Sequence, residues 1–261
     1  MITVAELNHG YAGKPVLGSI DLTVDDGEFL AIVGPSGCGK TTLLNVLAGL
    51  EPVQHGQVSV GGQAPTAGRR DVGYMLARDC LLPWRRAIGN AALALELQGV
   101  AGPERERRAM AALTALGLDQ AGQLYPAQLS HGMRQRVALA RVFAAAPDVI
   151  LLDEPFSALD PQNRVLVQDA FLGVWEQRRC TVVLITHDLG EAICLADRVV
   201  VMSASPGRIK NVYDVPLERP RSAADLRGAP EFHQLYEAMW ADLRGEVERA
   251  AVAAYVDGGA A

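Results

Sequence analysis

Four apolar runs, each too short for a helix, punctuate this chain: Phe29–Val33, Val149–Leu152, Val182–Ile185 and Val199–Met202. Runs of this length, bounded by turn residues, suit strands covered on both faces, as in a parallel sheet. Ile20–Val24 instead alternates apolar and polar residues and stops at the Asp25-Asp26-Gly27 turn, the pattern of a half-exposed strand. The chain up to about Val60 therefore reads as short strands. Helical spacing appears at Lys40–Leu50, with Gly49 near its end, and at Glu104–Leu116, which Gly117 stops. A longer helical segment follows Ser130 and ends before Pro147. Near the C-terminus Phe232, Leu235, Met239 and Leu243 share one helical face, a stripe that reads as core-facing rather than as a partner surface. Strand, helix and strand alternate around residues 34–41, which predicts an α/β fold with a mostly parallel sheet and helices on both faces. The helical stretch through the middle reads as an insertion into that sheet.

Composition narrows the function classes. A chain of 261 residues can bury a large core without disulfide staples. The net charge of −6 argues against a dedicated nucleic-acid binder, which would carry a basic footprint. Cys38, Cys80, Cys180 and Cys194 form no CxxC pair and no Cys/His cluster, so the expectation is a reduced setting with no structural zinc. The start, Met1 to Glu6, has neither a basic nor an apolar leader region. No run reaches the roughly 18 apolar residues that span a bilayer. Any membrane role is expected to go through a partner.

Residues 34–41 read Gly34-Pro35-Ser36-Gly37-Cys38-Gly39-Lys40-Thr41, followed by Thr42. This is GxxxxGK[ST] between an apolar strand and a helix, the context that separates a P-loop from a chance match. Glycines admit backbone angles that let N–H groups converge on phosphate oxygens, and the helix N-terminus adds partial positive charge. Lys40 can reach the β- and γ-phosphates of a nucleotide, and the Thr41 hydroxyl can coordinate Mg²⁺. Asp153 and Glu154 follow the run Val149–Leu152, at the strand end where such sheets place ligands. Asp153 suits Mg²⁺ and Glu154 suits general-base activation of water. His187, at the end of another apolar run, can contact a γ-phosphate.

Ser130 is a natural N-cap for the helix that follows. The first turn of that helix holds no acid but carries His131 and Arg134, cations that oppose the helix dipole. Two readings stand level on this observation: a site prepared for an external anion, or an exposed helix start whose N–H groups Ser130 satisfies.

Taken together these segments resemble the ATP-binding subunits of ABC transporters. Leu129-Ser130-His131-Gly132-Met133 is similar to the family signature LSGGQ, and Ser157-Ala158-Leu159-Asp160 to its D-loop. The resemblance runs from Tyr11 to about Lys210. It implies a P-loop NTPase cassette with a RecA-like core, an antiparallel β subdomain and an inserted helical subdomain. The ATP-binding domain would span 1–228, the helical subdomain about 81–146, and a C-terminal helical extension 229–261. It implies ATP and Mg²⁺ as ligands, with Tyr11 stacking on adenine and His187 as the switch histidine. Two copies would pair head to tail, so that Ser130 and Gly132 of one copy bind the γ-phosphate held by the other's P-loop, with Asp160 beside it. The partners implied are a second copy and multi-span permease subunits, and indirectly a solute-binding protein. The site of action would be the cytoplasmic face of the cell membrane. Leu81-Leu82-Pro83-Trp84-Arg85 and Ser205-Pro206-Gly207-Arg208-Ile209 resemble the nitrate, sulfonate and taurine importers more narrowly.

The sequence departs from that family at three places. Ala77 stands where the Q-loop glutamine is usual, and its methyl cannot ligate a metal or orient water. The expectation is slower turnover, with water in the missing position and Arg78 or Asp79 as candidate substitutes. His131 and Met133 replace Gly and Gln of the signature. His131 is either a source of pH dependence near its usual pKa of about 6.5 or a bystander. Trp84 is read as part of a socket for a helix of the membrane subunit, against packing inside the helical insertion. Competing readings are a soluble ABC ATPase acting on nucleic acid or ribosomes, and a weakly hydrolysing nucleotide-binding regulator. One P-loop, an acidic charge and no long heptad runs disfavour the first; Ala77 is the sole support for the second.

Overall fold

Alternation builds the first sheet, continuous apolar runs build the second. The computed structural model describes residues 1–258, and side-chain surroundings up to residue 250. In chain order the elements begin with β1 (Ile2–Tyr11), β2 (Lys14–Val24), β3 (Phe29–Val33), α1 (Lys40–Leu47), β4 (His55–Val60) and β5 (Val72–Met75). The helices α2 (Ala87–Ala91), α3 (Leu93–Leu97), α4 (Gly102–Ala115) and α5 (His131–Ala145) follow. Then come β6 (Val149–Asp153), α6 (Pro161–Arg178), β7 (Thr181–Ile185) and α7 (Leu189–Leu195). The chain closes with β8 (Arg198–Met202), β9 (Ile209–Asp214), α8 (Ala223–Leu226) and α9 (Pro230–Gly258). They fall into two compact units, Met1–Gly68 with Thr181–Ala261, and Arg69–Cys180.

In the first unit β2, β1 and β4 form an antiparallel sheet. Ile20, Leu22 and Val24 are buried while Asp21 and Thr23 face water, so the alternation in the sequence is the alternation in space. The β1–β2 hairpin closes through Ala12 and Gly13, both at positive φ, as a two-residue turn matched to strand twist requires. β3 is buried at all five positions and pairs in parallel with β7 on one side and β8 on the other; β9 joins β8 antiparallel. α9 packs on α7. Its stripe is inward as expected, with Phe232, Met239 and Leu243 buried; Leu235 is half-buried.

In the second unit β5 and β6 pair in parallel, and β6 is buried along its length. α2, α3 and α4 pack against α5. Gly117 follows α4 at φ 68, the stop that the sequence predicts. α5 ends at Ala146, left-handed at φ 52, immediately before Pro147. A helix must end before a proline, and here an alanine accepts the conformation that usually falls to glycine.

Candidate functional site

The P-loop sits between β3 and α1, and its glycines supply left-handed backbone angles that other residues would resist. Gly39 caps α1 at φ 98, and a Cβ there would lie 2.6 Å from the Leu17 side chain. Gly37 is also left-handed, at φ 77, but has open space where a Cβ would stand. Gly39 is thus demanded by both backbone angle and packing, Gly37 by angle alone. The cradle is backed by the segment after β8. A Cβ on Gly207 would collide with the Cys38 carbonyl oxygen at 1.9 Å. The Gly207 N–H donates to the Val16 carbonyl and its own carbonyl accepts from Gly18, tying this segment to β2. The Ser205–Ile209 segment, read from sequence only as a subfamily mark, therefore braces the phosphate loop.

Lys40 opens α1 and is buried. Its ammonium donates to the carbonyls of Gly34 at 2.8 Å and Pro35 at 2.9 Å, and lies 3.7 Å from Cys38 Sγ. Burial pushes the Cys38 thiol up, and the Lys40 charge offsets only part of that, so Cys38 is a protonated packing residue at neutral pH. Ser36 and Thr41 are exposed, Thr42 half-buried and Pro35 buried. Tyr11 ends β1 and is 44% exposed, as a ring needs to be if a flat ligand is to stack on it. Its other side is fixed: the buried His9 ring meets it edge-on at 5.0 Å and 73°. His187 is exposed, one residue beyond buried Thr186 at the end of β7 and just ahead of the α7 N-cap Asp188. The Asp188 carboxylate accepts from Glu191 N–H at 3.1 Å, and the Asp188 N–H donates to Thr186 Oγ1 at 3.0 Å, so His187 projects from a closed turn.

In the second unit Asp153 is the buried last residue of β6. Burial, and then the Asp153 charge, push the Tyr74 phenol well above its ordinary range. Glu154, half-buried, takes φ 49, a left-handed conformation that is costly for a side-chain-bearing residue and more so before a proline. Such strain, of order 1–3 kcal/mol, persists where surroundings over-determine it. Here they do so through Gln135, a buried residue of α5. Gln135 Nε2 donates to the Glu154 carbonyl at 3.0 Å, and its Oε1 accepts from Ala158 N–H at 3.0 Å. Ser157 Oγ donates to the same Glu154 carbonyl at 2.9 Å. The sequence reading assigned Gln135 no role; its signal was a polar residue on the apolar side of α5, two positions past Met133. Asp160 is the exposed N-cap of α6, accepting from Asn163 N–H at 3.0 Å and from Asn163 Nδ2 at 2.7 Å, and the Asn163 side chain leads the bonds that hold its carboxyl below the usual range.

Ser130 caps α5 as the sequence predicts: its Oγ accepts from Met133 N–H at 3.2 Å. An accepting hydroxyl keeps its own proton for a second partner, so cap and anion contact are compatible roles. Gly132 leaves room for the D-loop segment, since a Cβ there would lie 2.8 Å from Leu159 Cδ2. The cations of the first turn divide. His131 is exposed, whereas Arg134 pairs with Asp79 at 3.1 Å and donates to the Leu129 carbonyl at 3.0 Å. Arg134 is thus committed inside the chain, and its partner is Asp79, one of the two residues considered as substitutes for the missing glutamine. Ala77 is exposed. Trp84 is 70% exposed on a turn that buried Asn90 fixes, accepting from Leu82 N–H and donating to the carbonyls of Leu82, Arg85 and Arg86.

Comparison with known proteins gives these parts a common setting. The family model described as ABC transporter matches residues 17–157. The taurine import ATP-binding protein TauB of Escherichia coli O157:H7 is 40% identical over 243 residues, 91% of this chain and 94% of that protein. An uncharacterised ABC transporter ATP-binding protein of Methanocaldococcus jannaschii is 43% identical over 210 residues, 80% of this chain and 79% of that one. Among solved structures, a dimeric bacterial ABC transporter cassette aligns with TM-score 0.76 and 30% identity, covering 84% of this chain and all of that one. A dimeric post-hydrolysis cassette bound to ADP and Pi aligns with TM-score 0.75 and 28% identity over 84% of this chain.

Proposed function

Starting from the fact that this chain belongs to the ABC transporter ATP-binding family, we propose that it powers a membrane importer of a small solute, with the P-loop binding ATP and Glu154 driving hydrolysis. The chain is an ATPase of the α/β cassette fold that binds ATP with Mg²⁺. The observation that carries the mechanistic reading is the strained Glu154 turn, held by Gln135 directly after the buried Asp153.

The residues suit their ligands. Within the loop of 34–39 a side chain would be tight at Gly34 and would clash at Gly39, and the bare glycine backbone suits close approach to phosphate oxygens. The Thr41 hydroxyl and the Asp153 carboxylate are the hard oxygen donors Mg²⁺ prefers. Bound there, Mg²⁺ supplies neutralising charge to the phosphate oxygens. Lys40, with Ser36, Cys38 and Thr42 contributing from the same loop, binds and orients the β- and γ-phosphates. Tyr11 stacks on adenine. Glu154 accepts the proton of the attacking water, and His187 orients the γ-phosphate.

The edge made by exposed Ser130 and Asp160 with half-buried Gly132 serves a second copy. ATP held by one P-loop meets the Ser130 turn of the other copy, so binding closes a head-to-tail dimer and hydrolysis opens it. The likeness to dimeric cassettes supports this arrangement. No helix among the described residues is long and apolar enough to cross a membrane. On the likeness to an import ATP-binding protein, the chain works at the cytoplasmic face, bound to permease subunits through a socket that includes the exposed Trp84, and indirectly serves a solute-binding protein. The 40% identity to TauB favours taurine as cargo, and the motif resemblance extends the choice to another sulfonate or nitrate.

Co-expression of the chain with permease subunits of a taurine-type importer, followed by solubilisation and affinity capture, tests this reading. The expected result is a stable complex whose ATPase rate rises with the loaded binding protein. Trp84→Ala is expected to cut recovery of the complex several-fold while ATP binding stays at the parent level. Recovery unchanged with ATP binding lost would reverse the role given to Trp84.

A further inference from the structure

The segment after β5 poses a physical problem. Ala77 gives it no side chain to tie it to a ligand, and Cys80 within it is held at φ 46, a conformation a side-chain-bearing residue keeps only under constraint. The constraint comes from α5. Arg134 and Arg141 lie seven residues apart, two helical turns, and so share a face. Arg141 donates to the carbonyls of Cys80 at 3.0 Å and Asp79 at 2.9 Å. Arg134 Nε donates to Asp79 Oδ2 at 3.1 Å, while its Nη1 donates to the carbonyl of Leu129 at 3.0 Å. The second carboxylate oxygen of Asp79 accepts from Leu81 N–H at 3.2 Å. One guanidinium therefore joins the loop that lacks the glutamine to the residue immediately before Ser130.

We propose that Asp79 and Arg134 form a clamp that positions the Ser130 turn for the nucleotide of a second copy of this chain, anchoring from the α5 side a loop that Ala77 leaves without an anchor. The proposal rests on the reading of Ser130 as a phosphate contact across the dimer. Three considerations favour positioning over fold stability. The pair is part-buried rather than sealed, with side chains 32% and 22% exposed, so water at its rim softens the cost to folding of removing one partner. Ser130 is itself exposed at a helix start, where ends fray unless fastened. The guanidinium fork is planar and bidentate, which fixes the angle between its two acceptors, and small misplacements at a phosphate contact cost much of its worth.

The test is ATP-driven dimerisation of the full chain, measured by sedimentation velocity in a Glu154→Gln background that blocks turnover. Binding of a fluorescent ATP analogue to the monomer and thermal unfolding are followed in parallel. Arg134→Ala and Asp79→Ala are each expected to weaken MgATP-dependent dimerisation roughly three- to tenfold. The double variant should be no worse than either single one, because each alone breaks the same link. The swap Asp79→Arg with Arg134→Asp should recover part of the loss. Analogue binding and the unfolding midpoint should stay near the parent values. Ser130→Ala separates the two layers of the argument. If it weakens dimerisation while the Asp79 and Arg134 variants do not, or if their losses add, the clamp is refuted and the Ser130 reading stands. If Ser130→Ala changes nothing, the Ser130 reading falls and the clamp falls with it.

Discussion

Two turns in this molecule hold the chain in left-handed conformations next to chemistry, and they do it by opposite means. The P-loop uses glycines, so that φ 77 at Gly37 and φ 98 at Gly39 carry no side-chain penalty. The turn after β6 places a glutamate at φ 49 and relies on Gln135, nineteen residues earlier, to hold it there. The difference follows from what each turn must present. A phosphate cradle is made of backbone N–H groups, so side chains are dispensable and glycine is free to appear. The general base we propose at Glu154 must be a side chain, so the conformational cost stays and a tertiary contact has to meet it.

The sharpest break of that comparison is Gly39→Ala. The added methyl would meet Leu17 at 2.6 Å in a backbone region alanine avoids, so ATP affinity is expected to fall by at least about tenfold, read by equilibrium binding. A tolerated alanine would show that the loop is not set by its glycines. Next comes Gln135→Ala, which removes one of the bonds to the Glu154 carbonyl, leaving that from Ser157, and takes the side-chain acceptor from the Ala158 N–H. Steady-state ATPase assays should show kcat down roughly ten- to a hundredfold with KM for ATP little changed, a loss of about 1–3 kcal/mol in the turn that carries the base. A rise in KM with kcat intact would instead place Gln135 in binding.

The smallest effect sharpens the comparison with a side-chain contact that carries no backbone strain. Bonds from Tyr213 and Asn211 hold the Asp242 carboxyl of α9 below the usual carboxylate range. A carboxyl whose folded pKa is depressed contributes stability above its unfolded value of about 3.9, and that stability is lost as pH falls through the folded value. Acid unfolding followed by circular dichroism should therefore show Asp242→Asn less stable than the parent at neutral pH by well under 1 kcal/mol, the difference vanishing once pH has fallen through the depressed folded value.

The sequence alone determined the alternation of β2, the fully buried runs of β3, β6, β7 and β8, the stop at Gly117, the Ser130 cap and the glycine loop. Each of these is written in residues adjacent along the chain, where periodicity and glycine placement act locally. Tertiary structure alone decided that Arg134 serves Asp79 and Leu129 rather than an outside anion. It also decided that Gln135 fastens the Glu154 turn, that Gly207 braces Cys38, and that the Trp84 indole faces outward. In each of these a side chain or a glycine meets backbone or charge distant in sequence, and one-dimensional patterns hold no record of which distant groups the packed elements bring within reach.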